Sequence, residues 1–90
     1  MITLHLPADL ADKFQAPREI RLHASTIGEV VPALNRLYPG MNHWLTDANG
    51  AFRRHLSVFV GEYRLDSQEG PDTVLPEACE VWVMRAVSGG

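Results

Sequence analysis

One segment of the chain has the periodicity of an amphipathic helix, and it lies between segments that alternate like β-strands. Thr26 and Glu29 match a capping box, which satisfies free amide groups where a helix starts. Pro39-Gly40 stops the helix. The apolar positions between them recur near i, i+3, i+4 and i+7 and form one stripe, namely Ile27, Val30, Val31, Leu34, Leu37 and Tyr38. A helix with a single apolar stripe is predicted to cover one face of a sheet.

Pro32 conflicts with this helix, because a proline past the first turn removes a hydrogen bond and clashes with the preceding turn. Either the first turn is irregular, or the helix starts later than the capping box implies.

Four segments alternate apolar and polar residues with the period of two that is typical of half-buried strands. They are residues 1–6, 18–23 and 55–60, and the stretch that starts at Glu80. A polar loop is expected between the first two, which would pair as an antiparallel hairpin. The remaining pieces are a short strand at residues 63–65, a turn at 70–72, and an edge strand or packed loop at 73–75. The connection from Met41 to Arg54 is predicted to dock through Trp44 and Leu45.

These elements predict an α+β fold, with a mixed four- to five-stranded sheet and one main helix on one face. Ninety residues make one domain, expected at 1–87, with 88–90 as a flexible tail. The net charge of −3 argues against nucleic-acid binding through a basic face. No apolar run approaches the roughly 20 residues needed to cross a bilayer. The lone Cys79 and the absence of a signal-peptide pattern at Met1 predict a cytoplasmic protein that does not bind a membrane.

An exposed apolar patch is predicted on the sheet face that the helix leaves open. If the β-branched Val81 and Val83 point inward, Trp82, Met84 and Ala86 point outward together with Phe59. Such patches on small domains commonly mark partner surfaces. The alternative is that the connection at 41–54 folds over the patch and buries it.

The sequence has no constellation typical of an enzyme. His5, His23, His43 and His55 lack the close companions of a metal site, so we expect surface histidines and no metal. Cys79 has no recognisable base and is interpreted as a small, at least half-buried hydrophobe. Phosphate loops, nucleophile elbows and paired carboxylates are missing as well.

The sequence ends in Gly89-Gly90, which we expect to be a free carboxyl terminus. Without a Cβ, glycine lets a chain thread a narrow channel, so this end would present an unhindered carboxylate on a flexible arm. The simpler alternative is a frayed end where glycine is merely tolerated.

Taken together, the chain resembles the ubiquitin-like β-grasp sulfur carriers, such as the small subunit of molybdopterin synthase, the thiamine sulfur carrier and the carriers of an alternative cysteine pathway. The resemblance covers nearly the whole chain, and its most specific part is the tail from Val83 to Gly90. Three features depart from the family pattern: Ser88 before the diglycine, Arg85 in place of a proline, and the lead-in from Pro76 to Cys79.

The resemblance implies that the chain is a protein co-substrate and not an enzyme, or the small subunit of a synthase complex. An adenylating enzyme of the ubiquitin-activating type would use ATP to convert the Gly90 carboxylate to an acyl-adenylate. Sulfur would then displace AMP, and the Gly90 thiocarboxylate would serve a sulfur-accepting biosynthetic enzyme that makes molybdopterin, cysteine or another metabolite. Ser88 and Gly89 would form the tail, no cofactor would be bound, and the predicted docking residues are Phe59, Trp82, Met84 and Arg85. Two alternatives stay open: a modifier conjugated through Gly90, and an interaction module that is not conjugated.

Overall fold

The computed structural model of the chain describes residues 1–65 and 72–85. The predicted turn at 70–72 lies mostly outside these ranges. Ala86, the tail residues Ser88, Gly89 and Gly90, and the predicted domain boundary after residue 87 lie outside them entirely.

Five strands form one mixed sheet: β1 (Ile2–His5), β2 (Glu19–Leu22), β3 (Leu56–Val60), β4 (Tyr63–Arg64) and β5 (Glu80–Arg85). Their order across the sheet is β2-β1-β5-β3-β4. β1 and β5 run parallel, whereas β1 pairs with β2, and β3 with both β4 and β5, in antiparallel fashion. The mixed sheet and the opening antiparallel pair confirm the prediction, and β5 occupies the centre between β1 and β3.

The main helix is α2 (Ile27–Leu37), which begins where the capping box predicts. The Glu29 carboxylate accepts hydrogen bonds from the backbone N–H groups of Ser25 and Thr26, at 2.7 and 3.1 Å. Pro32 therefore lies inside the helix, and its presence does not delay the helix start. Gly40 has φ +97°, a left-handed conformation that glycine adopts readily, and its N–H donates to Oδ1 of Asn35 at 2.9 Å, closing the helix end.

The apolar stripe of α2 differs from the prediction at one end. Ile27, Val30 and Leu34 are buried as expected, but Leu37 is 55% exposed and Ala33 is buried. The prediction for Leu37 was wrong, since this last residue of α2 is exposed to solvent.

Two short helices lie in the connections between strands. α1 (Ala8–Lys13) was not predicted; it replaces the polar loop between β1 and β2, and buries Leu10 and Ala11. α3 (Asn42–Leu45) lies in the connection before β3, where a short helical turn was expected. Leu45 is fully buried there, as predicted.

Trp44 does not anchor the connection, since it is 46% exposed, and Met41 is the second fully buried residue there. The ammonium group of Lys13 lies 4.3 Å from the centroid of the Trp44 ring, a cation–π contact between α1 and α3.

Within residues 1–65 and 72–85, one hydrophobic core joins the helices to the inner face of the sheet. Its strand residues are Ile2, Leu4, Ile20, Leu22, Val58, Val81 and Val83. Leu75 also belongs to it, and the Leu75 N–H donates to the Ser25 carbonyl at 2.8 Å. The segment at 73–75 is thus a packed loop, linked to the start of α2 by a bridge between Thr26 and Val74. Among the described residues, no helix is long and apolar enough to span a membrane.

Candidate functional site

The outer face of the sheet carries the predicted patch. Val81 and Val83 are buried, whereas Trp82 and Met84 are 39% and 47% exposed. Phe59 is half-buried and stands directly opposite Trp82 in the β3–β5 register. The connection at 41–54 does not bury these side chains. We call Phe59, Trp82 and Met84 the outer-face patch.

Strand pairing sets the outer-face patch in a row that crosses the whole sheet. His5 is paired with Glu19 and with Trp82, and Phe59 is paired with Trp82 and with Arg64. Directly paired residues project from the same face of a sheet. The row therefore contains one side chain from each strand, in the order Glu19, His5, Trp82, Phe59 and Arg64, and runs from a carboxylate to a guanidinium group.

Met84 extends this surface beside the row. It is paired with Ser57, whose Oγ accepts a hydrogen bond from Nη2 of Arg64 at 3.3 Å. The apolar centre is thus bordered by polar groups on the β3–β4 side, the arrangement of an apolar core and polar rim that is typical of protein interfaces.

The prediction of a surface histidine was wrong for His5. Its alternation with Leu4 and Leu6 places it on the outer face, but it is only 9% exposed and is not a surface histidine. The imidazole stacks on the Trp82 ring, with ring centroids 3.5 Å apart and an interplanar angle of 6°. Strands on both sides of β1 supply the neighbours that cover it, so its central position in the sheet explains its burial. The other three histidines are exposed, as expected.

Two carboxylates lie beside the His5 ring, and one of them is hydrogen-bonded to it. Nε2 lies 2.8 Å from Oε1 of Glu80, and Nδ1 lies 3.7 Å from Oε1 of Glu19. Because an ionised carboxylate only accepts hydrogen bonds, the contact with Glu80 places the hydrogen on Nε2. Nδ1 then carries no hydrogen and faces Glu19.

Arg85 lies apart from the outer-face patch. It is paired with Leu56, which packs against the core, so its side chain leaves the sheet on the helix-covered side. Its guanidinium contacts the Asp9 carboxylate of α1. Of the four predicted docking residues, three share the outer face and Arg85 does not.

Cys79 precedes β5 and is half-buried, in line with its interpretation as a small hydrophobe. Burial raises the pKa of its thiol above the ordinary value, which keeps the sulfur in its unreactive, protonated form near neutral pH. Among residues 1–65 and 72–85, no group of three or more His, Cys, Asp or Glu side chains is arranged to hold a metal ion.

Solved structures of similar proteins match nearly the full length of the chain. CysO of Mycobacterium tuberculosis, described as an antigen, has a TM-score of 0.85 at 21% identity, covering 97% of this chain and 100% of the other. A chain of the Amycolatopsis orientalis BexX/CysO complex has a TM-score of 0.85 at 17% identity, with 100% of both chains covered. SAMP1 of Haloferax volcanii has a TM-score of 0.75 at 22% identity, covering 99% of this chain and 98% of the other.

No protein-family profile matches the sequence, and no curated protein matches it. At these identities the structural likeness establishes the fold. Together with the strand order and the central parallel pair of β1 and β5, it shows that the chain has the ubiquitin-like β-grasp fold.

Proposed function

We propose that this chain is a sulfur carrier whose Gly90 carboxylate is activated by a partner enzyme and converted to a thiocarboxylate. The main support for this proposal is the set of residues that β5 exposes and its position just before the diglycine. This central strand bears two exposed residues of the outer-face patch, Trp82 and Met84, and it precedes Gly89-Gly90 by only a few residues. The outer-face patch, which would dock, and the Gly90 carboxylate, which would react, would thus lie on the same segment of the chain.

The chemistry starts from a carboxylate, which is a poor electrophile until it has a good leaving group. An adenylating enzyme of the ubiquitin-activating type would join the Gly90 carboxylate to the α-phosphate of ATP and release pyrophosphate. Hydrosulfide, or the terminal sulfur of a persulfide, would attack the carbonyl carbon and break its bond to AMP. With hydrosulfide the product is a Gly90 thiocarboxylate. With a persulfide donor it is an acyl disulfide, and a thiol must then reduce the S–S bond.

The domain itself would supply binding and no catalysis. Ordering a tail in an enzyme channel costs conformational entropy, and docking of the outer-face patch would offset this cost before the tail enters. A protein with the same fold is part of the BexX/CysO complex. This supports the proposal that the present chain also associates with a partner protein. A biosynthetic enzyme that consumes the sulfur would be the second partner.

The decisive measurement locates the sulfur. The protein is incubated with an adenylating enzyme from the same organism, ATP and sulfide, and is then digested with trypsin. Cleavage after Arg85 releases residues 86–90, which contain no methionine or cysteine. Exchange of oxygen for sulfur at Gly90 is expected to raise the mass of this peptide by about 16 Da. The mass is measured on the 86–90 peptide because oxidation of a methionine elsewhere in the chain would add nearly the same mass to the intact protein.

Two controls make the result specific. Cys79→Ser is expected to gain the same mass, since a persulfide on Cys79 would change a different peptide. Deletion of Gly90 is expected to abolish the gain without changing the thermal midpoint, as predicted for a tail outside a domain at 1–87. If the 86–90 peptide of the wild-type protein keeps its mass while ATP is consumed, the carrier proposal is wrong.

A modifier role is the second candidate, since Haloferax volcanii small archaeal modifier protein 1 has the same fold, with a TM-score of 0.75. Activation would be the same, but a lysine amine of a target would displace AMP and form an amide. Conjugates on target lysines, recovered from cells in the absence of any thiocarboxylate, would favour this role. A biological activity that survives deletion of Gly90 would instead favour an interaction module that is not conjugated.

A further inference from the structure

The outer-face patch contains a tryptophan whose ring is held by its neighbour. The His5 imidazole and the Trp82 indole are stacked in parallel, with a centroid distance of 3.5 Å and an interplanar angle of 6°. A partly exposed tryptophan on a strand can otherwise sample several rotamers, so this contact restricts the orientations available to the indole. Trp82 thereby presents a fixed surface although 39% of it is exposed.

The ring that restricts Trp82 is itself restricted. His5 is 9% exposed, and its hydrogen bond to Glu80 is 2.8 Å long. Glu80 and Trp82 lie two residues apart on β5, so the strand that carries the indole also carries the group that orients the imidazole. On the other side, Glu19 of β2 faces Nδ1. Glu80, His5 and Trp82 therefore form a connected unit on the outer face.

Pre-organisation of this kind matters for binding because ordering a side chain at an interface costs free energy. Tryptophan is also among the residues that most often dominate binding energy. A Trp82 that is already ordered would contribute its buried area to a complex without that cost.

We propose that His5 is a positioning residue of the docking surface, which holds Trp82 in the orientation that the adenylating partner binds. This proposal rests on the proposed function. The partner surface that fits the row has an apolar pocket for Trp82, a cationic group opposite Glu19 and a carboxylate opposite Arg64, since complementary charges favour association.

The first arm of the test needs no partner. Trp44→Phe leaves Trp82 as the single tryptophan, so the emission of this protein reports on Trp82 alone, and the His5 variants are made in this background. Quenching by acrylamide is expected to be stronger in His5→Gln, where the indole loses its cover, and unchanged in His5→Phe, which keeps a flat ring.

The second arm measures kinetics of adenylate formation by pyrophosphate exchange, with the adenylating enzyme from the same organism. His5→Gln is expected to raise KM about tenfold with kcat unchanged, the size of effect typical of a strong interface residue. Met84→Ala, a direct contact residue, should also raise KM. His5→Phe should stay within about threefold of the wild type, because it restores the stacked ring. His43→Gln, an exposed histidine on α3, is the matched control and should leave both constants unchanged.

Each result separates the two proposals. Equal acrylamide quenching in His5→Gln and in the protein with His5 would show that His5 does not hold Trp82. An equal rise in KM in His5→Phe and His5→Gln would show that the partner does not require a stacked ring. Either outcome overturns the positioning role while leaving Gly90 chemistry intact. Absence of adenylation in the wild type would overturn the proposed function and the docking role together, and the fluorescence arm would still decide the His5–Trp82 contact.

Discussion

Leu34 and Leu37 lie one helical turn apart on α2 and have opposite surroundings. Leu34 is fully buried in the core, whereas Leu37 is 55% exposed. Leu34→Ala is expected to lower the free energy of unfolding by about 2–5 kcal/mol, because it removes apolar contacts and leaves a cavity. Leu37→Ala should change it by less than about 0.5 kcal/mol, as is usual for surface positions. Urea unfolding followed by circular dichroism measures both.

The two variants make the same change of residue type on the same helix, and the burial of the leucine is the main difference between them. A similar loss in both would mean that Leu37 is buried in solution, in contradiction to its place at the end of the helix.

At the scale of single residues, the sequence predicts the inner face of the sheet well and the outer face less completely. Alternation identifies Val81 and Val83 as buried and Trp82 and Met84 as exposed, because the period of a strand fixes which side each residue takes. The burial of His5 follows from the strands beside it. Alternation gives its face but not its neighbours, and only the register that brings Trp82 alongside reveals the stack.

The main helix keeps a proline in its interior. Pro32 cannot donate a backbone hydrogen bond, and its ring is exposed and contributes no packing to the core. Pro32→Ala is expected to raise the free energy of unfolding by about 2 kcal/mol, which is the roughly 3 kcal/mol difference in helix propensity less the roughly 0.4–1 kcal/mol by which proline restricts the unfolded chain. Thermal and urea unfolding of the variant test this expectation.

Pro17→Ala provides the comparison, since Pro17 is exposed and lies outside any helix. That change should be neutral or slightly destabilising, because only the unfolded chain gains freedom. If Pro32→Ala also destabilised the protein, the proline would have to contribute to the fold in another way than through helix geometry.

Among the elements, the long periodic ones could be predicted and the short ones could not. α2 has a capping box and several apolar positions in register, so its existence and start are predictable. α1 is one and a half turns long, and its buried residues Leu10 and Ala11 are too few to establish a helical period. Its packing against the core, together with the contact between Asp9 and Arg85, stabilises a helix that its own sequence barely indicates.

At the scale of the whole molecule, the sheet joins distant parts of the sequence at its centre. β1 and β5 pair side by side, and each has a further strand on its other edge. We expect the amides of Leu4, Val81 and Val83 to exchange with solvent only through global unfolding, because they are buried in these central strands. The amides of β4, a two-residue edge strand with exposed side chains, should exchange through local opening. Native-state hydrogen exchange by NMR at increasing denaturant distinguishes the two classes.

The exchange experiment also tests cooperativity. If Val81 and Val83 exchanged with a lower free energy than Leu4, β5 would open while β1 and β2 stayed paired, and the sheet would not be a single cooperative unit.

The central position of β5 affects how the protein folds during its synthesis on the ribosome. Of the five strands in the described part of the chain, β5 is synthesised last, and β1 and β3 are not paired with each other, so the β2–β1 and β3–β4 halves are not joined in the sheet until β5 is present. At about 5–20 residues per second, synthesis of the chain from β4 to β5 takes on the order of seconds, and the two halves are not joined through the sheet during that interval. The row from Glu19 to Arg64 does not exist before β5 inserts. A partner that binds this row would therefore select molecules whose translation has passed β5 and whose folding is complete.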